Sequence, residues 1–513
     1  MTHDHDLVLC PTPAQTAAAL APPPGRTGGD LVVETLRGLG VTTVFGAAGP
    51  GSPLEPGGRL EPGGRLESGS PLDDALGRSG LTLWNGFATA AGAGHAADGF
   101  GRLTGEAAAL SAPEGPGSTV LAEALAASAP LLVLATGPVA GAAEHVKAAF
   151  TARTPSQLPT AVAEAWEAAL TAPHGPVWLE LDPAALAAVT VLPEVNAPDV
   201  LPHELPPRPE LTALAAHWLE TAERPLIVTG GGATRADAAG KVKALAARLD
   251  ATVATTPGGA GTHPDAHEVT PALLEAADVL LLVGTTLEGI GFTPPARLIQ
   301  IDAAPSRLEA HHAPALGIHA DARLALTALL ETVAVREPGV REPGVREPEG
   351  RGSDGGRATG AGQTQAAVPS PLADPLLAVV RHTLPPRTPT FWDRAPAGFR
   401  PRHPNTFHAP QAAGTTGYAF PAALGAAVAD PGAVVLAVSD AAPGAAALGE
   451  LATAAAAGLP LVWLITDGTA EAGVAAAAEA AGVALVRAEL GDAAEELTKA
   501  VALRGPVVVV LRA

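Results

Sequence analysis

Short aliphatic runs recur along the chain, each ending at a small or acidic residue and each followed by a segment with helical spacing. Residues 131–135, 177–181, 226–228, 279–283, 298–301, 434–438, 461–465 and 507–511 contain almost no polar side chain, the pattern of parallel strands covered on both faces. Between them, residues 211–222 and 237–249 place apolar side chains at helical intervals. Residues 448–457 form an Ala-rich helix of high propensity that Gly458 stops. Asp30 is placed to N-cap a helix whose Leu31, Val32, Leu36 and Leu39 share a face, with a strand at 41–45 after Gly40. A buried small-residue helix is expected over 88–97, and the first strand of the last unit over 388–393. The alternation predicts an α/β protein built from doubly wound parallel-sheet domains.

A chain of 513 residues exceeds what one core sustains and predicts three domains. Residues 1–26 are rich in Pro and Ala and are expected to be a disordered leader. Residues 27–190 form the first unit, 205–334 the second and 373–513 the third. The Pro-rich 193–209 joins the first two, and 335–372, which opens with repeats of Val-Arg-Glu-Pro-Gly, is expected to be a disordered linker. Inside the first unit Glu-Pro-Gly-Gly-Arg-Leu occurs twice, at 55–60 and 61–66. The stretch 49–72 is therefore expected to be a loop expansion that buries no face.

Composition narrows the classes of function. Hydrophobic residues make up 47% of the chain but aromatics only 3%, so the cores are built from small aliphatic side chains. A net charge of −21 leaves no basic footprint for nucleic acid or anionic lipid. The single cysteine, Cys10, excludes an internal disulfide framework. The N-terminus lacks a basic region followed by a long apolar run, and the most apolar stretch, 121–143, is interrupted by Glu123, Pro130, Gly137 and Pro138. These features predict a cytoplasmic protein with no membrane span.

The richest chemistry lies in 433–469. The run 434–438 ends at Ser439-Asp440-Ala441, and 461–465 ends at Thr466-Asp467, with one helix between them. Asp440 and Asp467 are thus expected side by side at adjacent strand ends, where open α/β sheets place their ligands. Two carboxylates there suit a hard cation such as Mg²⁺ that keeps a phosphate as a further partner. The alternative is that each Asp only caps the loop or helix after its strand. Gly230-Gly231-Gly232 follows another strand and reads as a phosphate cradle or, more simply, as a tight strand-to-helix turn. His311, His312 and His319 do not read as a metal site, because adjacent histidines on a helix point in different directions.

These segments resemble the thiamine diphosphate-dependent enzymes typified by acetolactate synthase and the 2-oxo acid decarboxylases. Besides the paired aspartates, Ala96-Ala97-Asp98-Gly99-Phe100-Gly101-Arg102-Leu103-Thr104-Gly105 is similar to the signature of that family's pyrimidine-binding domain, and the segment from Gly414 to Gly425 is similar to its Gly-x-Met-Gly-Tyr-Gly-Leu-Pro-Ala-Ala-x-Gly motif. Glu114-Gly115-Pro116-Gly117 stands where the family has Ser-Gly-Pro-Gly. The resemblance implies that Asp440, Asp467 and the carbonyl of Thr469 hold Mg²⁺ against the cofactor diphosphate. It implies a backbone contact from Gly414 to the aminopyrimidine, with Thr416 replacing the large apolar residue that wedges the cofactor into its bent shape. It also implies a homodimer whose thiamine diphosphate lies between the first domain of one subunit and the third of its partner. Some branches bind FAD in the central domain, but the short connector 267–271 argues against FAD here.

The match departs from the family at informative places. Ser439 and Ala441 replace the glycines around the first Asp, and Thr466-Asp467 replaces Asn-Asn. The family's catalytic Glu, eight residues before the signature Asp, corresponds to Ala90, so no catalytic acid or base is assigned there. Glyoxylate carboligase works with an aliphatic residue at that position. Ala513 follows the last strand directly, so the family's C-terminal lid is not expected. Three functions remain open: decarboxylation or carboligation of a small 2-oxo acid, a non-catalytic paralogue that keeps the fold as a binding or partner subunit, and a nucleotide-binding α/β protein that uses only Gly230 to Gly232.

Overall fold

The computed structural model describes residues 26–47, 70–139, 141–190, 205–334, 373–394, 396, 401–412, 414–466 and 471–512. The expected leader apart from Arg26, the repeat at 55–66 and the whole of the expected linker lie outside the described residues. Three six-stranded sheets follow in order, and every strand pairing within them is parallel. The first contains β1 (Thr43–Ala47), β2 (Thr82–Phe87), β3 (Ala108–Ser111), β4 (Leu131–Ala135), β5 (Ala148–Ala152) and β6 (Pro176–Leu181), in the order β2-β1-β3-β4-β6-β5. The second contains β7 (Pro225–Thr229), β8 (Thr252–Thr255), β9 (His267–Glu268), β10 (Val279–Val283), β11 (Arg297–Asp302) and β12 (Leu316–His319), in the order β9-β8-β7-β10-β11-β12. The third contains β13 (Thr390–Trp392), β14 (Phe407–His408), β15 (Val435–Ser439), β16 (Leu461–Ile465), β17 (Ala484–Glu489) and β18 (Val507–Arg512), in the order β14-β13-β15-β16-β18-β17. The first and third sheets therefore share one topology. The central sheet reverses strand order between β7 and β10, the arrangement that opens a crevice at the strand ends.

Two expectations near the N-terminus need correction. In helix α1 (Gly28–Gly38) the N-cap is Thr27, and Asp30 is its partner three residues on: Thr27 N donates to Asp30 Oδ2 at 2.8 Å while Asp30 N donates to Thr27 Oγ1 at 3.2 Å. Asp30 fits the cap preference in type but occupies the other half of a capping box. The stretch 49–72 also does not end as a loop. Ser70 caps helix α2 (Pro71–Arg78), and Leu72, only 2% exposed, packs with Val32 and Leu76 beneath the first sheet. Arg26 and Thr27 pair antiparallel with Thr190 and Val189, tying the two ends of the first domain together.

The first and third domains share a core. Phe45, Phe87, Ala96 and Leu131 belong to the same buried apolar cluster as Phe391, Tyr418, Phe420 and Trp463. Its centre is the crossing of helix α3 (Ala90–Thr104) with helix α5 (Ala419–Ala429); helix α4 (Ser118–Ala126) lies beside α3. A Cβ on Gly99 would stand 2.1 Å from the Ala422 carbonyl oxygen, and one on Gly425 would stand 1.8 Å from that of Ala96. Only glycine lets the two backbones approach this closely. The two signature segments thus meet each other, glycine against backbone, within one chain.

Candidate active site

The third sheet gathers polar groups at the carboxyl ends of its three adjacent strands β13, β15 and β16. Register pairs Ser439 with Ile465, and one residue later Thr466 N donates to Ser439 O at 3.0 Å. The Thr466 hydroxyl then donates to Asp440 Oδ1 at 2.8 Å. Asp440 stands at the N-cap position of the helical turn Ala441–Ala446, but its side chain makes no capping hydrogen bond. Its carboxylate faces the neighbouring strand end instead, which removes the simple capping alternative for this residue. Asp467 and Thr469 lie outside the described residues.

Two groups at this rim were not legible from spacing. Asp393, at the end of β13, is buried, and its Oδ1 accepts hydrogen bonds from Tyr418 N at 2.7 Å and Ala419 N at 2.9 Å, so it caps α5. Burial pushes its pKa up, against hydrogen bonds from Ser439, Ala419 and Tyr418. Arg394, the next residue, reaches Asp440 with its guanidinium at 3.5 Å, and both side chains are about two-fifths exposed, 42% and 39%. A cation therefore already stands beside the first motif carboxylate.

Gly414 and Thr416 lie in the turn that leads into α5, and both are exposed. Gly414 has φ +84° with no heavy atom within 4 Å of where a Cβ would stand, so its backbone is open to approach by a flat ligand. Thr415 between them is buried.

Ala90 begins α3, with Thr89 as N-cap, the Thr89 hydroxyl accepting from Gly92 N at 2.9 Å. No carboxylate comes from Ala90 itself, but one arrives from the third domain. Glu450, 3% exposed, accepts from Ala88 N at 2.9 Å and from the hydroxyls of Thr89 and Thr453 at 3.2 Å each. Burial raises its pKa despite these donors. A Cβ on Gly92 would overlap the Glu450 carboxylate, 2.1 Å from Oε1. The only hint in the sequence was a lone Glu within the otherwise apolar run 441–452.

Elsewhere the sequence alternatives resolve simply. Gly230 and Gly232 face the backbone of Gly284 after β10, at 2.6 Å and 2.7 Å from a virtual Cβ, so these glycines serve close packing of two loops. His311 lies near Glu288, His312 packs on Phe292, and His319 faces the Ala303 carbonyl. Among the described residues no group of three or more His, Cys, Asp or Glu is placed to hold a metal ion.

The sequence profile of the thiamine pyrophosphate enzyme central domain matches residues 212–329, and that of the C-terminal TPP binding domain of the same enzymes matches 393–470, the span holding Gly414, Asp440 and Thr466. The chain therefore carries the central and C-terminal domains of the thiamine pyrophosphate enzymes. It is 27% identical over 365 residues to the acetolactate synthase large subunit of Corynebacterium glutamicum, covering 63% of this chain and 55% of that protein. It is 30% identical over 276 residues to a probable 2-ketoarginine decarboxylase of Pseudomonas aeruginosa (47% and 49%) and 29% identical over 282 residues to glyoxylate carboligase of Escherichia coli O157:H7 (47% and 47%). The chain thus spans about half the length of the curated relatives it matches. Solved structures share its fold over nearly their whole length. A putative thiamin diphosphate-dependent enzyme from Mycobacterium smegmatis superposes with a TM-score of 0.76 at 22% identity, covering 95% of this chain and 99% of that one. Benzoylformate decarboxylase from Polynucleobacter necessarius gives 0.74 at 19% identity, covering 94% and 98%.

Proposed function

We propose that this chain binds thiamine diphosphate at the strand ends of its third domain and acts there on a small 2-oxo acid, by decarboxylation or carboligation. The observation that carries the reading is the meeting of the two motif halves, Thr466 donating to Asp440 across β15 and β16. The residues present fit the cofactor: Asp440 supplies a hard oxygen ligand for Mg²⁺ on the diphosphate, and the open backbone at Gly414 suits a planar ring. Asp467 and the Thr469 carbonyl complete the proposed metal set. When bound, the cofactor supplies the electron sink for loss of CO₂ from a 2-oxo acid. The chain's own part is to bind and orient it and to exclude water. No helix among the described residues is long and apolar enough to cross a membrane; a cytoplasmic homodimer belongs to the proposal on the family resemblance.

One observation favours a second reading, a non-catalytic paralogue that keeps the fold as a binding or partner subunit. Position 90 presents a methyl group, and the nearby Glu450 carboxylate already accepts from the Ala88 N–H and the Thr89 hydroxyl of the same turn. Calorimetric titration with thiamine diphosphate, with and without Mg²⁺, followed by assays with small 2-oxo acids, separates the cases. Metal-dependent binding with turnover supports the enzyme; binding without turnover leaves the paralogue. No heat at millimolar cofactor would overturn the proposal.

A further inference from the structure

Glu123 is a buried acid that neither motif accounts for. It sits on α4 in the first domain and is completely buried, yet all its partners but Arg102 come from the turn of the third domain that contains Gly414. Gln411 N donates to Oε1 at 2.8 Å and to Oε2 at 3.0 Å, Ala412 N to Oε2 at 2.8 Å, and the Thr415 hydroxyl to Oε2 at 3.1 Å. Arg102 Nη2 donates to Oε1 at 2.5 Å. The same guanidinium pairs with Asp98 at 2.8 Å, donates to the Ala409 carbonyl at 3.3 Å and lies 5.1 Å from the centroid of the Tyr418 ring. Asn405 adds a hydrogen bond to the Leu103 carbonyl at 2.8 Å.

A fully buried carboxylate with this many donors is held in one place, and it holds the donors in turn. Three of those donors bracket Gly414, whose φ of +84° is fixed by nothing in its own side chain. From this geometry we infer that Glu123 is a positioning residue: from the first domain it sets the turn that presents Gly414 and Thr416 to the cofactor. The assignment rests on the thiamine diphosphate reading above. Arg102, placed by α3, orients Glu123. Glu123 ionises readily in this setting, since burial is more than offset by the Arg102 charge and by the hydrogen bonds from Arg102, Ala412 and Gln411.

The test uses the full chain carrying Glu123→Gln, which turns an amide donor toward backbone N–H groups, and Thr415→Val, which removes one hydroxyl donor and leaves the Arg102–Glu123 pair intact. Amide hydrogen exchange is read without cofactor, and thiamine diphosphate affinity is read by calorimetry below the melting transition. The expected result is at least about tenfold faster exchange at Gln411 and Ala412 in Glu123→Gln, with protection in β15 and β16 retained. Affinity should weaken about tenfold to a hundredfold, as for lost supporting partners of a ligand site, and Thr415→Val should show a smaller change in the same direction. Unchanged exchange at 411 and 412, or faster exchange spread over the whole chain, would overturn the inference, as would wild-type affinity in a locally loosened variant. If Glu123→Gln does not fold, Thr415→Val decides on the same readings. If the wild type itself binds no cofactor, the function proposed above falls, along with the cofactor role of Glu123; exchange at 411 and 412 then reports only whether Glu123 fixes the turn.

Discussion

Thr466 and Asp440 directly follow two different strands, with helical segments between them in sequence, and the hydroxyl of Thr466 donates to the carboxylate of Asp440 over 2.8 Å. The contact fixes the Asp440 carboxylate at the sheet rim, facing its neighbour strand. If Asp440 is a ligand of the cofactor-bound metal, Asp440→Asn should raise the Kd for thiamine diphosphate in Mg²⁺ by about tenfold or more. Stability should change by no more than about 0.5 kcal/mol, as for other partly exposed positions. Calorimetry paired with thermal melting checks both. Equal affinity in the two proteins would remove Asp440 from the ligand set.

The crossing of α3 and α5 makes a sharper stability prediction. Gly99→Ala and Gly425→Ala each place a methyl group inside the van der Waals radius of a backbone oxygen, at 2.1 Å and 1.8 Å. Neither carbonyl can swing away without breaking its helix, so each variant should lose about 1–3 kcal/mol or more of stability. Because both act on one contact, the double variant should lose less than the sum. Urea denaturation measures this, and two neutral substitutions would mean that the helices do not cross here.

Much of the fold was legible in the sequence, and the reason is local. Residues 131–135 and 279–283 coincide with β4 and β10, since a central parallel strand buries every side chain and leaves an unbroken aliphatic run. The edge strands β5 and β17 were missed because they are partly exposed and carry mixed polarity, with Thr151 and Arg487 within them. The site divides the same way. Asp440, Gly414 and the change at Ala90 were visible as spacing within one motif. Glu123, Glu450 and Asp393 find their partners on distant segments, which periodicity does not report. The core shared by the first and third domains escaped for the same reason: residues 88–97 read as a buried helix, and only the meeting of α3 with α5 shows what buries it.

Buried ionisable groups around that crossing set opposing pH dependences. Burial lowers the pKa of His95 to about 4, below the roughly 6.5 of an unfolded chain. The unfolded state then binds the extra proton, and this residue's contribution to stability falls as pH drops from about 6.5 toward 4. Burial raises Asp98 to about 6 even beside Arg102, so the folded state binds the extra proton and its contribution grows as pH drops from about 6 toward 4. His95→Gln should therefore flatten the acid loss of stability, and Asp98→Asn should steepen it, each by up to about 1.4 kcal/mol per pH unit. Urea denaturation at pH 6.5, 5.5 and 4.5 tests the signs. Parallel curves for both variants and the wild type would contradict both assignments.

The last prediction concerns position 90. Ala90→Glu restores a carboxylate to the first turn of α3, where the helix N-terminus favours negative charge. The same turn already carries Glu450 on the N–H of Ala88 and the hydroxyl of Thr89, so the new carboxylate meets a like charge and at least one of the two acids should hold its proton more tightly. A carboxylic acid poised in this way suits proton transfer near neutral pH. With thiamine diphosphate bound, Ala90→Glu should therefore speed exchange of the cofactor C2 proton, followed by NMR, by about 10² to 10⁴. Ala90→Gln, which fills the same space without a titrating group, should give no such gain. If Ala90→Glu binds the cofactor and exchanges no faster than wild type, the absent carboxylate is not what limits this chain. If wild type already exchanges fast, Ala90 is no lesion, and the chain works with an aliphatic residue at that position.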